Sequence, residues 1–149
     1  MPFDATTFSE HRISRDAGQL YARDYPGAGP AFVLMHGFPD NLHIYDELIP
    51  YLVADGRRVV TFDFLGFGES DRFAGAACCF EQHLEDSGAF VEALRLDKII
   101  PVGHAGDGPA ASNLSVRTYG RPVTFPSREA MRNCVEYPRA THGPRGRLK

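Results

Sequence analysis

Hydrophobic and polar positions divide the chain into strand-like and helix-like stretches. Ser9–Arg15 and Gln19–Tyr25 flank Asp16-Ala17-Gly18. Asp and Gly supply the unusual φ values of a tight hairpin, so two antiparallel strands are predicted there. Pro26-Gly27-Ala28-Gly29-Pro30 reads as a loop. Ala31–Met35 is a continuous apolar run, the pattern of a strand buried on both faces, and Arg58–Phe62 reads as another buried-type strand. Between them Tyr45, Leu48, Ile49, Leu52 and Val53 recur at helical spacing, and Asp55-Gly56 stops that helix. Phe80, Leu84, Val91 and Leu94 mark a second amphipathic helix, and Lys98–Val102 is the last clear strand. Strands alternating with helices imply a parallel sheet covered by helices on both faces, an α/β fold.

Three turns stand at the ends of these strands. His36-Gly37-Phe38-Pro39-Asp40 follows the third strand. Asp63-Phe64-Leu65-Gly66-Phe67-Gly68-Glu69-Ser70-Asp71, punctuated by glycine, follows the fourth. Val102-Gly103-His104-Ala105-Gly106-Asp107-Gly108-Pro109 follows the fifth and opens into a small-residue segment suited to a helix start. Strand, sharp turn and helix are the setting of a nucleophile elbow, where a small-x-nucleophile-x-small pattern raises one reactive side chain above the sheet. The flanks must be small because a nearby Cβ would collide with the tightly folded backbone. Counting from Gly103 puts Ala105 in the reactive slot and Asp107 in the second small position. A methyl group cannot attack anything, so the frame of a catalytic turn is present without its reactive atom.

With these motifs the chain resembles the α/β-hydrolase superfamily, and within it the epoxide hydrolase and haloalkane dehalogenase branch. The turn His36-Gly37-Phe38-Pro39 is similar to its H-G-x-P motif. The stretch Asp63 to Asp71 is similar to its D-x-x-G-x-G-x-S-D loop, with Leu65 where Arg is common. Together the motifs cover roughly residues 10–111. The resemblance implies the N-terminal part of that fold, an antiparallel β1-β2 hairpin followed by a mostly parallel sheet of strand order 1-2-4-3-5. It implies that the backbone N–H groups of Phe38 and Gly106 form an oxyanion hole. It also implies a hydrolase of small esters, epoxides or haloalkanes working through a covalent intermediate. The nucleophile of the branch is Asp, or Ser in esterase-like relatives. Ala105 is neither, and no acid and His from later strands follow, so the expectation is an incomplete triad and an inactive protein. A non-catalytic remnant or interaction module is the alternative.

The remaining polar candidates have structural readings. His36 and His104 are expected as turn residues, and Asp107 as the cap of the first helical turn after Gly106, beside Gly108. His142 has no strand pattern before it and is not expected as the base.

Composition adds limits. The three cysteines, two of them adjacent at Cys78 and Cys79, form neither a disulfide framework nor a metal-ligand pattern. Reduced thiols in a cytoplasmic protein, with no metal and no cofactor, are expected. The net charge of −3 and the absence of a long apolar run suggest neither a nucleic-acid nor a membrane partner. A small-molecule substrate, if the chain is active, is the expected ligand. Residues 1–111 hold 17 acids against 8 Lys and Arg, and residues 112–149 hold 2 against 8, so the sign of the charge reverses after the elbow. The expected division is a partial hydrolase core over residues 1–115, truncated after the elbow, and a divergent basic tail over 116–149. In that tail Ser127 is expected to cap a short helix over Arg128–Tyr137 that Pro138 closes, with disorder expected after Thr141. A C-terminal half replaced, for example through a shifted reading frame, would account for the reversal. Truncation there leaves Ile99–Val102 as an apolar edge, and self-association through that edge is expected.

Overall fold

The computed structural model describes residues 7–72 and 80–104. They form one five-stranded sheet flanked by helices. β1 (Ser9–Arg15) and β2 (Gly18–Tyr25) make an antiparallel hairpin. β3 (Ala28–Met35), β4 (Arg57–Phe62) and β5 (Ile99–Gly103) run parallel, and the order across the sheet is β1-β2-β4-β3-β5. This is the expected topology. The sheet is mixed because β2 meets β4 antiparallel.

Alternation along the central strands explains the two covered faces. On β3, Ala31, Val33 and Met35 join Val60 and Phe62 of β4 in a core closed by Phe90 and Leu96. Phe90 belongs to α2 (Phe80–Ala93), which therefore lies on that face. Leu34 and Val59 point the other way and pack with Tyr45, Ile49 and Val53. Both central strands are thus buried on both faces, as the apolar run of β3 and the apolar-rich end of β4 predict.

Two predicted boundaries change. The expected helix through Tyr45–Val53 is two pieces, a 3₁₀ turn over Leu42–Tyr45 and a short helix α1 (Ile49–Ala54). Pro50 sits in the first turn of α1, where its missing N–H costs no hydrogen bond. Tyr45, Ile49 and Val53 face one core from both pieces, so the helical period runs through the break, while Leu48 at the junction is 40% exposed. The loop predicted at Pro26–Pro30 is also shorter, since β3 begins at Ala28. Gly27 lies so close to β4 that a Cβ there would come within 2.2 Å of the Arg57 backbone. The Ala28 N–H then donates to the Gly56 carbonyl at 2.8 Å, and an irregularity in register separates Ala28 from Phe32.

The hairpin turn also differs in detail. Gly18 alone takes a positive φ, +146°, and the space of its absent Cβ is filled by Asp71, whose Cβ would be 2.7 Å away. Asp71 closes the contact by accepting the Gln19 N–H at 2.8 Å and donating its own N–H to the Gln19 carbonyl at 2.9 Å. The loop after β4 is thereby tied to the start of β2.

α2 is held by charge as well as by packing. Arg15 at the end of β1 donates to Asp86, which is fully buried, at 2.9 Å, and to Glu85 at 3.2 Å. The other Asp86 oxygen accepts the Leu65 N–H at 3.1 Å. Burial alone would lower the Arg15 pKa, but the hydrogen bonds and charges of Asp86 and Glu85 outweigh it and hold the guanidinium above its usual value.

Tyrosine ionisation gives a first test. Burial is the main cause that raises Tyr21 above the usual 10.0, its hydrogen bond to Glu10 adds to the rise, and Arg23 opposes it. Burial raises Tyr25 likewise, against the pull of Arg23. A phenol whose folded pKa is raised contributes stability below its unfolded value, and that contribution is lost as pH rises through the folded one. The thermal midpoint should therefore fall once the pH passes about 10. Ultraviolet titration of phenolate should lag that of the chain in denaturant, and coincident titration curves would contradict the assignment.

Candidate active site

The three parallel strands end together. Met35 is the register partner of both Phe62 and Gly103, so the turns that follow, beginning at His36, Asp63 and His104, leave the sheet at one edge. The His104 N–H donates to the Met35 carbonyl at 3.3 Å, which also accepts the Tyr45 hydroxyl at 2.6 Å. In open α/β sheets the crevice beyond the carboxyl ends of the strands is where ligands bind.

His36 is buried and both ring nitrogens are engaged. Nδ1 lies 2.9 Å from the Gly37 carbonyl oxygen, and Nε2 accepts the Phe64 N–H at 3.2 Å. This pairing requires the tautomer with its proton on Nδ1. His36 therefore ties the turn after β3 to the loop after β4, the structural role expected of it. Phe64 and Phe67 meet its ring edge-on at 5.1 and 5.4 Å.

Asp63 organises the second turn. Its carboxylate is buried, with one oxygen accepting the Leu42 N–H at 2.7 Å and the other the Glu69 N–H at 2.9 Å. Gly68 has a φ of +50° and passes so close that a Cβ would lie 2.1 Å from the carboxylate. Ser70 completes the knot, donating to the Asp63 carbonyl at 2.6 Å and accepting the Tyr21 N–H at 2.8 Å. The Asp, Gly and Ser of this motif thus serve the loop's shape.

Phe38 stands at the mouth. Its side chain is 72% exposed and meets Phe67 edge-on at 6.1 Å, and the Phe38–Pro39 peptide bond is cis. The neighbouring Gly37 carbonyl accepts the Asp40 N–H at 2.9 Å. No acceptor for the Phe38 N–H lies among the described residues. Gly103 and His104 are exposed at the end of β5. Ala105, Gly106, Asp107 and Gly108 lie outside the described residues, as do Ser127–Pro138 and His142.

Sequence reasoning placed His36, Gly37, Phe38, Gly103 and His104 at one edge, and they are there. It did not find the Arg15–Asp86 clamp, whose partners are 71 residues apart, or the two N–H groups held by Asp63. An acid directly after an apolar strand was the available signal for Asp63. Among the described residues no group of three or more His, Cys, Asp and Glu could hold a metal ion, and no helix is long and apolar enough to cross a membrane. The grooves found elsewhere are open; one, of about 390 Å³, lies beside Phe8, Asp24 and Arg58, far from the strand ends that define the site.

A mixed sheet covered on both faces, with the ends of its three parallel neighbours β4, β3 and β5 gathered at one carboxyl edge, defines an α/β protein of the open-sheet kind. The model of the family described as alpha/beta hydrolase fold matches residues 30–105, just over half of the chain. The chain belongs to the α/β-hydrolase fold family. It is similar to haloalkane dehalogenase 2 of Mycobacterium bovis, 32% identical over 120 residues, which are 80% of this chain and 40% of that protein. It is similar to a haloalkane dehalogenase of Mycobacterium marinum, 39% identical over 77 residues, which are 51% of this chain and 26% of that one. The solved structure of an epoxide hydrolase from an endophytic Streptomyces superposes with a TM-score of 0.64 at 29% identity, covering 73% of this chain and 33% of that chain. The chain thus spans at most about 40% of the length of these relatives.

Proposed function

We propose that the chain carries the oxyanion-hole side of a hydrolase site for small esters, epoxides or haloalkanes, with no nucleophile in it, and that as written it does not turn such substrates over. The observation that carries this reading is in the sequence: Ala105 stands two residues after Gly103, and Gly103 pairs in register with Met35 at the end of β3. Phe38 and Gly106 are assigned the two backbone donors. The Phe38 N–H, for which no acceptor lies among the described residues, supports the first, and backbone donors tolerate side-chain change. Loss of a nucleophile lowers kcat by on the order of 10⁶-fold, which leaves only weak residual assistance from binding and the oxyanion hole. No cofactor takes part in this reading, and the reduced cysteines expected of the chain accord with a cytoplasmic location. The alternative is a non-catalytic remnant or interaction module.

An activity screen of the purified chain with aryl esters, epoxides and haloalkanes tests the proposal. Turnover at the rate of an ordinary esterase or dehalogenase would refute it. A fluorophosphonate, which needs an activated Ser, should give no stoichiometric adduct by intact mass. Labelling at Ser112, the first Ser after the elbow, would shift the assignment of the reactive slot.

A further inference from the structure

Among the described residues the sheet ends at β5 on one side and β1 on the other, and the two backbones differ in what they offer another chain. On β5, Lys98 accepts from the Ala31 N–H and His104 donates to Met35, so Ile100 and Val102 face β3 while Ile99, Pro101 and Gly103 direct their backbone groups away from it. Pro101 has no N–H, so the middle of that outer row lacks a donor. β1 has no such gap. Gln19 and Tyr21 of β2 turn their N–H groups toward Asp71 and Ser70, away from β1. Alternation along the hairpin then leaves Ser9, His11, Ile13 and Arg15 bonded to β2, and Glu10, Arg12 and Ser14 with N–H and C=O directed outward. Among the described residues nothing pairs with that row.

The side chains on this edge are ordered in advance. Glu10 accepts from the Tyr21 hydroxyl. The Arg12 guanidinium lies over the Tyr21 ring, 4.9 Å from its centroid, and donates to the Glu69 carbonyl at 2.6 Å. Charges on an edge strand usually deter pairing. Here they are spaced two apart with opposite signs, so an antiparallel copy of the same strand can match them.

We propose that β1 is a self-pairing edge and that its partner is β1 of a second copy of this chain, set antiparallel about a two-fold axis at His11. In that register Glu10 lies opposite Arg12 of the second copy and Arg12 opposite its Glu10. Both are outward-facing residues, so each pair exchanges two N–H···O bonds and an ion pair. Two-fold symmetry makes the contact self-complementary and closed, joining two sheets into one. On the α2 face the axis brings an open groove of about 480 Å³, lined by Ile13, Ala89, Ala93 and Leu94, beside the second copy's Ser9 and His11. A shift by one residue would oppose outward backbone to inward backbone. A shift by two would set Arg12 against Arg12. The charge pattern therefore selects this register. The inference stands independently of the hydrolase reading.

Sedimentation velocity of the full chain from micromolar to near-millimolar concentration should show a monomer–dimer equilibrium. Glu10→Arg and Arg12→Glu, each alone, place like charges opposite one another and should weaken the dimer by on the order of 10- to 100-fold. Mixing the two single variants should restore a dimer, because the chain with two arginines then faces the chain with two glutamates. The double variant should restore it within one chain. Circular dichroism of each variant checks that it remains folded, and the mixing experiment stands even where one variant is less stable. A wild-type monomer throughout the range would overturn the proposal. So would variants that associate like the wild type, which would move the contact to another edge, or single variants that stay monomeric when mixed.

Discussion

Replacing Asp63 with Ala should cost a large share of the chain's stability. The substitution removes the acceptor of two N–H groups, those of Leu42 and Glu69, the first of them fully buried. Hydrogen bonds to a charged group contribute about 1.5–3 kcal/mol each, and a buried donor left unmade costs the desolvation as well. The expected loss is about 3–6 kcal/mol, against a total stability of about 5–15 kcal/mol for a domain of ordinary size. Thermal unfolding followed by circular dichroism should shift down by roughly 6–24 °C. Asp63→Asn should fall between, since its amide retains one oxygen but turns an NH₂ toward one of the two donors. Gly68→Ala should act through the same carboxylate, because the new methyl occupies the space 2.1 Å from Asp63 Oδ2 at a positive φ. A shift of less than about 5 °C for Asp63→Ala would mean that water replaces the carboxylate and that the loop does not depend on it.

That prediction rests on contacts a linear reading cannot supply. Asp63 meets Leu42 across 21 residues, and the Phe64 N–H reaches His36 across 28. The strands were legible because burial on both faces leaves apolar runs, unbroken at Ala31–Met35 and interrupted only by Thr61 at Val59–Phe62. The break between Tyr45 and Ile49 was not. Both pieces keep one face toward the core, and a periodicity that continues through a break cannot reveal it. The early start of β3 was hidden for another reason: Ala28-Gly29-Pro30 has the composition of a loop, and only the approach of Gly27 to Arg57 makes it a strand. For the site, the motifs fixed which turns meet, because strand order and parallel direction bring the ends of β3, β4 and β5 to one edge. Which side chain holds which backbone group depends on three-dimensional closure, and no spacing in the chain encodes it. The basic segment from residue 116 onward lies outside the described residues, so its expected helix and disorder stay expectations.

Restoring a nucleophile with Ala105→Asp should give a protein that reacts once and stops. In a displacement at carbon the carboxylate needs only position and a leaving group, and no base assists that first step. The carbon–halogen bond breaks as the carbon–oxygen bond forms, and halide leaves. Cleaving the resulting ester is a different task, since a His must take a proton from water and an acid must orient that His. His36 is the His nearest in sequence to the proposed oxyanion donor, but both its nitrogens are committed, to the Gly37 carbonyl and the Phe64 N–H. Serving as a base would release Phe64 and loosen the turn that presents Phe38. His104 is exposed at the same edge, yet its backbone N–H is held by Met35, and no carboxylate partner for its ring is found among the described residues. Intact-mass analysis with a reactive haloalkane should therefore show at most one adduct per chain beyond those formed on the parent protein with Ala105, located at residue 105 and persisting on dilution. Steady turnover would mean that a water-activating His exists after all. His104→Ala and His142→Ala, made in turn on the Ala105→Asp background, would identify it by returning the protein to a single adduct. If turnover survived both, the ester would be opening without either His, and the view of this crevice as lacking a base would have to be abandoned.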